Sequence, residues 1–258
     1  MSRFFEYNNI QVQYESTGKG PAIVLLHGFL ENLGMWEFLI PQISKKNKVI
    51  SIDLLGHGKT GNLGYVHTME DHAKLIRELL KSLNIRKATL IGHSMGGYIA
   101  LAFADLYPKN TKGFCLLNST AFADSSAKKV SRERAIKAVK ENHKTFIRVS
   151  IPMLFSKHNR RHLKKQINEV TSEALKTSKQ GIIASLEGMK IREERIELLQ
   201  NETFKKMLIL GINDTVLDIR IHKNQVKNTT TKFIELRDGH MSHIETTNDV
   251  VNILSTFC

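Results

Sequence analysis

The chain is poor in cysteine and tryptophan, with two of the first and one of the second in 258 residues. Two cysteines cannot build a disulfide framework. Cys115, inside the apolar run Gly113–Leu117, reads as a small core residue, and the terminal Cys258 reads as a free thiol on a frayed end. No stretch approaches the roughly 18 apolar residues of a membrane-spanning helix, so no span is expected. The opening residues carry Glu6, Asn8 and Asn9 where a secretory signal needs an apolar stretch, and a reducing, cytoplasmic setting is the expectation. Histidine, cysteine and carboxylate residues do not cluster at zinc-ligand spacing, so neither a metal nor an organic cofactor is expected. With one tryptophan, no nucleic-acid module and no interleaving of aromatic with basic residues, nucleic acid is not the expected partner.

What is present is ordinary for a globular protein: 41% hydrophobic and 24% charged residues. A chain of this length buries roughly three quarters of its unfolded surface, enough for a core without covalent staples. Phe4–Tyr7 and Ile10–Glu15 alternate about an Asn-Asn turn and read as a hairpin. Short apolar runs follow at Ala22–Leu26, Val49–Ile52, Ala88–Ile91, Gly113–Leu117, Met207–Leu210 and Lys232–Leu236. Continuous apolar runs suit strands covered on both faces. Helical periodicity lies between them, over Thr68–Leu83 with Thr68 as N-cap, over Met95–Leu106 and over Asp249–Phe257. Strands alternating with helices predict a doubly wound α/β sheet with right-handed crossovers. From Phe122 to Gln200 the alternation stops and only helical periodicity remains. That is too long for a connection, and it reads as an inserted helical cap, residues 122–200, on a core made of residues 1–121 and 201–258.

The chemistry centres on Ala88-Thr89-Leu90-Ile91-Gly92-His93-Ser94-Met95-Gly96-Gly97, a strand, a sharp turn at a serine, then a helix. Glycines two before and two after Ser94 have a steric reason, because a strained turn brings strand and helix too close for side chains. The turn lifts the hydroxyl clear of the backbone, with a helix N-terminus beneath it to favour developing negative charge. A second segment, Ile23-Val24-Leu25-Leu26-His27-Gly28-Phe29, runs a strand into a loop. Acyl transfer needs two donors for its oxyanion, and the amides of Met95 and Phe29 are the candidates.

A lone hydroxyl is a poor nucleophile and needs a base. Of eleven histidines, His240 follows a strand and the loop Arg237-Asp238-Gly239, where the last strand's carboxyl end would deliver it beside Ser94; His243 is the rival. His27, His57 and His93 belong to turn motifs and read as structural. His67, His72, His143, His158, His162 and His222 read as surface or cap residues. For the acid that orients the imidazole, Asp214 in Gly211-Ile212-Asn213-Asp214 stands at the right loop, with Asp218 and Asn118 as rivals. The order Ser, Asp, His is the one the nucleophile-elbow arrangement uses.

These pieces together, His27-Gly28-Phe29, Asp53–Thr60, Gly92–Gly97, Gly211–Asp214 and Gly239-His240, resemble the α/β-hydrolase fold superfamily over nearly the whole chain. The resemblance implies an eight-stranded, mostly parallel sheet, a helical lid after the sixth strand, and a catalytic triad of Ser94, Asp214 and His240. It gives the Asp53–Thr60 segment a structural role. Members that cleave carbon–halogen bonds or epoxides place Asp where this chain has Ser94. Proline iminopeptidase-like members show Gly-Gly-Ser-Trp-Gly, absent here, and menaquinone-pathway lyases often carry Arg where Tyr98 stands.

The expectation is a serine hydrolase acting on a carboxylic ester or thioester of a small to medium acyl group. Its alternatives are a carbon–carbon bond hydrolase or lyase using the same triad on a carboxylate-bearing substrate, favoured by a pocket-facing Arg132, Arg148, Arg192 or Arg195, and a ligand receptor on the same fold. Trp36, Phe122, Phe146 and Met153 are candidates to line an acyl pocket. The cap carries 18 Lys plus Arg against 9 Asp plus Glu, so +9 of the net +13 falls there. Such a field could steer an acyl group carried on acyl carrier protein or coenzyme A, or it could simply solvate the helix surfaces.

Overall fold

A computed structural model of the protein describes residues 2–258. Its strands are β1 Arg3–Tyr7, β2 Ile10–Thr17, β3 Ala22–Leu26, β4 Lys48–Ile52, β5 Ala88–His93, β6 Thr111–Leu117, β7 Lys205–Gly211 and β8 Lys232–Leu236. They form one eight-stranded sheet in the order β1-β2-β4-β3-β5-β6-β7-β8. β2 runs antiparallel to β1 and β4, and every pairing from β4 through β8 is parallel. Asn8 and Asn9 take φ of 46° and 64° between β1 and β2. Two successive positive φ values match the right-handed twist of the flanking strands, which is why asparagine sits there.

The helices are α1 Ile40–Ile43, α2 Met69–Ser82, α3 Met95–Leu106, α4 Ser126–Leu154, α5 Lys164–Ala174, α6 Lys179–Lys190, α7 Glu197–Gln200, α8 Ile219–His222, α9 Ser242–Glu245 and α10 Thr247–Phe257. α2 begins at a capping box: the Thr68 hydroxyl accepts the Asp71 amide at 3.0 Å, and the Asp71 carboxylate accepts the Thr68 amide at 3.3 Å. α4 through α7 lie between β6 and β7. α4 is broken at Asn142 (φ −153°, ψ 92°), whose side chain accepts the Thr145 amide and caps the second half as a new helix.

Two cores flank the sheet. One gathers Val24, Leu26, Leu90 and Leu116 with α2, α3 and the buried face of α4 (Ile136, Val139, Ile147, Ile151). The other gathers Ile23, Leu25, Ile91, Cys115 and Leu117 with Trp36, Leu39 and the apolar face of α10. Strand alternation assigns neighbouring residues of β3 and β5 to opposite cores. Trp36 is therefore not a pocket residue. It is wholly buried in the core opposite α4 and stacks on Phe38. Cys258 is half-buried against the same core rather than frayed, and burial pushes its thiol up to about 12.

His67 and His72, read from the sequence as surface or cap residues, belong to the core and are fully buried. The periodicity of α2 explains one of them, because His72 shares a stripe with Met69, Ala73, Ile76, Leu79 and Leu80. His67 ties α6 to the core: its amide donates to Ala184 O at 3.0 Å and its Nε2 accepts the Leu63 amide at 3.1 Å.

Burial holds several histidines in the neutral form, with His57 down to about 3, His67 to about 4, His72 well below its ordinary value and His27 lowered. Between about pH 6.5 and pH 4 the unfolded chain binds protons at these sites that the folded chain does not. Stability must then rise with pH through that window and fall on acidification. Urea unfolding at fixed temperature should show the midpoint dropping steadily from pH 7 to pH 4. A flat profile would mean that these rings are charged inside the fold.

Candidate active site

β5 ends at His93, and Ser94 takes φ 47° and ψ −113° before α3 starts at Met95. This left-handed, strained conformation is one that a non-glycine residue adopts only when its surroundings force it. Here they do. The Ser94 amide donates to Leu117 O of β6 at 3.0 Å, and the Ser94 carbonyl accepts from the Ser119 hydroxyl at 2.7 Å and the Gly97 amide at 3.0 Å. A Cβ at Gly92 would stand 2.2 Å from the backbone of Gly96, and one at Gly96 would stand 2.2 Å from Leu26 O. The two glycines let β3, β5 and α3 meet behind the serine.

The Ser94 hydroxyl lies 2.9 Å from His240 Nε2. His240 Nδ1 faces both carboxylate oxygens of Asp214, Oδ2 at 2.8 Å and Oδ1 at 3.1 Å. The three residues come from the ends of β5, β7 and β8, and the sheet order β5-β6-β7-β8 brings them to one edge. The Asp214 side chain is wholly buried, and its Oδ1 also accepts the amides of Val216 at 2.7 Å and Leu217 at 2.9 Å, while Asn118 Nδ2 donates to its Oδ2 at 3.0 Å. Burial pushes this carboxyl up, but His240 and the two amides outweigh it and hold it below the usual carboxylate range. Asn118, a rival for the acid, thus supports it, donating to Gly239 O as well. Asp218 caps α8 and pairs with Arg220 on the surface.

Met95 occupies the first position of α3, where an amide has no intrahelical acceptor. Phe29 lies in the loop after β3, shaped by Leu30 at φ 65°. That loop is locked to the Asp53–Thr60 segment: His57 Nε2 accepts the Leu30 amide at 3.2 Å, and His27 Nε2 accepts the Leu54 amide at 2.9 Å. Asp53 accepts the amides of Leu33 and Lys59, each at 2.8 Å. In each of these a side chain accepts from a backbone amide.

Beside Ser94, His240 and Asp214 lies a second carboxylate–imidazole pair that the sequence did not announce. Glu31 Oε2 accepts from His93 Nδ1 at 2.8 Å and from the Gly28 amide at 2.5 Å, and His93 Nε2 donates to His240 O at 2.9 Å. The ring that precedes Ser94 therefore joins the loop of Phe29 to the loop of His240. Burial opposes charge on both groups, yet each prevails for the other: Glu31 is brought down to about 2 and His93 is raised. His243, the rival base, sits on the far side of this pair with Nε2 3.7 Å from Glu31 Oε1, and burial keeps it neutral, down to about 3. Glu31, His93 and His243 bring donor atoms within 4.8 Å of one another. Both nitrogens of His93 are engaged as N–H donors, however, so the ring presents no lone pair to a metal.

Of the remaining pocket candidates, Phe122 lines a cavity of about 580 Å³ with Tyr98, Lys128, Arg192, Leu217 and His222. Phe146 packs half-buried against the core of α4, and Met153 is exposed, its carbonyl accepting from Thr215. Glu31 was missed because its partner is 62 residues away. The available signal was only an acidic residue in an otherwise apolar strand-to-loop segment.

The family model described as alpha/beta hydrolase fold matches residues 21–247. The chain belongs to that family. An esterase from Thermogutta terrifontis, solved with malate bound, is 26% identical at a TM-score of 0.91, with 100% of this chain and 97% of that one covered. An (E)-2-((N-methylformamido)methylene)succinate hydrolase from Acinetobacter baylyi is 31% identical over 53% of this chain and 51% of its own. An uncharacterised Mycobacterium tuberculosis protein is 35% identical over 37% of this chain and 28% of its own. The alignments thus span from about a quarter to half of these two curated relatives. Among the described residues no helix is long and apolar enough to cross a membrane.

Replacing Glu31 by Gln would strand a buried imidazolium. Breaking a buried pair from one side typically costs about 3 kcal/mol or more. The exposed Lys81–Glu78 pair (3.6 Å) should lose under about 1 kcal/mol when Glu78 is changed to Gln. Denaturant unfolding of the two variants measures the difference, and equal small losses would mean that the buried pair holds nothing.

Proposed function

We propose that the protein is a serine hydrolase that cleaves a carboxylic ester or thioester of a small to medium acyl group. The observation that carries this is the 2.9 Å contact between the Ser94 hydroxyl and His240 Nε2, with the other ring nitrogen held on Asp214. Likeness to the Thermogutta esterase over the full chain supports the same reading.

Ser94 Oγ attacks the ester carbonyl carbon as its proton passes to His240 Nε2. The imidazolium so formed is stabilised by the Asp214 carboxylate, which fixes the Nδ1–H tautomer. The carbonyl oxygen, now an anion, is received by the amides of Phe29 and Met95, each such donor being worth on the order of 10² to 10³ in rate. Collapse breaks the bond to the alcohol or thiol, which leaves with the proton from His240. Water, deprotonated by the same ring, then hydrolyses the acyl-enzyme and restores the serine.

The reading has two rivals. A ligand receptor on this fold has no need of an activated nucleophile. A carbon–carbon bond hydrolase uses the same three groups on a carboxylate-bearing substrate, and Arg192 in the cavity beside Asp214 gives that reading some support. A fluorophosphonate probe should label the native protein at Ser94 and leave Ser94→Ala unlabelled. p-Nitrophenyl esters from acetate to palmitate, run beside a carbon–carbon substrate, should show ester turnover with a maximum at short to medium chains. Asp214→Asn should lower kcat on the order of 10⁴-fold, because it favours the wrong tautomer. Absence of labelling would overturn the hydrolase in favour of the receptor. If the substrate's acyl group arrives on an acidic carrier, added salt should slow turnover of the carrier-linked ester more than that of the free one.

A further inference from the structure

All the parallel strands, β3 to β8, start at one edge of the sheet, and the six turns that lead into them share a composition. Residues 17–21, 44–48, 83–88, 107–112, 201–205 and 227–232 hold ten lysines, Arg86 and a single carboxylate, Glu202. Outside these turns and the cap, carboxylates outnumber cations. The turns that leave the strands at the other edge are chiefly acidic, with Glu31, Glu37, Asp53, Asp214, Asp238 and Glu245. The core is thus sorted by charge along the strand direction, basic where the strands begin and acidic where Ser94 stands.

Register sets the basic residues in a row. Lys48 of β4 lies beside Ala22 of β3, which lies beside Ala88 of β5, the residue after Lys87. Lys112 of β6 precedes Gly113, which lies beside Lys205 of β7, and Met207 lies beside Lys232 of β8. With strands about 4.8 Å apart, the row from Lys48 to Lys232 spans about 24 Å. Arg77 and Lys81 of α2 join Arg86, Lys87 and Lys109 around an open groove of about 970 Å³ whose wall holds no carboxylate.

These charges are not balanced within the chain. Among the described residues none of the eleven forms an ion pair; ten are exposed and Lys48 is half-buried. Of the nearby helix carboxylates, Glu78 pairs with Lys81 and Asp105 with Arg195. The cap differs, since Lys165, Lys176, Lys190, Arg132, Arg192 and Arg195 there each hold a carboxylate. The carbonyl ends of α2 and α3 favour cations near Lys81 and Lys109, but that effect fades within a turn and does not reach Lys19 or Lys232. Like charges left without partners repel one another, a cost that an external anionic surface removes.

We infer that this amino edge of the sheet is a docking face for an anionic lipid surface, on which the protein lies with Ser94 turned away from the bilayer. The inference goes beyond the hydrolase reading and does not depend on it. An acyl carrier docked here would stand a strand's length, about 20 Å, from Ser94, too far to hand its acyl group over directly. A single-stranded nucleic acid needs exposed aromatic rings to stack on, and the two aromatic residues in these turns, Tyr107 and Phe204, are half-buried and buried. Ten of the eleven cations are lysines, point charges on flexible stems rather than planar forks for one phosphate, and they are spread across the sheet. That suits a broad field of headgroups, to which each lysine adds about fivefold in binding.

Flotation with vesicles tests this. The native protein should bind vesicles of equal parts phosphatidylglycerol and phosphatidylcholine, should not bind phosphatidylcholine alone, and should be released as salt is raised. Lys87→Gln, Lys109→Gln, Lys112→Gln and Lys232→Gln combined should weaken binding about a hundredfold or more. Arginine at the same four positions should keep it. Lys129→Gln, Lys137→Gln, Lys140→Gln and Lys144→Gln, four exposed cap residues giving the same change in net charge, should leave it near the native level. No binding of the native protein to the anionic vesicles overturns the inference, and so does an equal loss in the edge and cap variants. Duplex DNA offered in place of vesicles separates the partners: retention on DNA with none on vesicles overturns the lipid surface in favour of nucleic acid.

Discussion

The close approach of three backbones behind Ser94 is the constraint on which the rest depends. Neither Gly92 nor Gly96 has room for a side chain, since one carbon more at either position would stand 2.2 Å from main-chain atoms. Because β5 and α3 can meet there, the chain reverses within one residue. The serine is then forced to a positive φ that aims its hydroxyl at the sheet's carboxyl edge. The strain is borne by the parallel ladder on either side. β3 and β6 flank β5, and the serine's own amide and carbonyl are fastened to β6 and to Ser119, two residues past its end.

Around that point two carboxylate–imidazole pairs are set nearly back to back. Asp214 serves His240, and Glu31 serves His93. They differ in what they orient. The first holds the ring of His240 toward the serine, and the second holds the backbone of His240, reaching through the residue next to the serine to the loop that bears Phe29. A side chain can be held no better than the main chain that carries it. The fold therefore spends a buried ion pair, an expensive device in itself, where three separate loops have to agree in position. His243 makes the same point by contrast, since it lies near enough to be mistaken for the base but is kept neutral against Glu31.

Much of the fold was legible because parallel strands are buried on both faces and so read as unbroken apolar runs. The bounds of β3 and β8 and of α3 agree with the sequence reading, and most other strands are longer by a residue or two. Ser94, His240 and Asp214 were legible as a set because each sits just past a strand end. The errors have equally physical causes. Trp36 stands only seven residues after Phe29, but the chain between turns it to the opposite core. His67 and His72 were polar by type and were assigned to the surface or the cap, although the stripe of α2 already marked the second as buried.

Local sequence by itself determined the strands, the elbow, the caps and the order of the reactive residues, because these depend on neighbours within a few positions. It could not determine which distant charges would be left without partners. Glu31 meets His93, and Asp124 meets Arg132 and Arg192, only when loops up to 68 residues apart in the chain are brought together. Only the tertiary structure decides that, since the energy of a charge depends on everything that surrounds it.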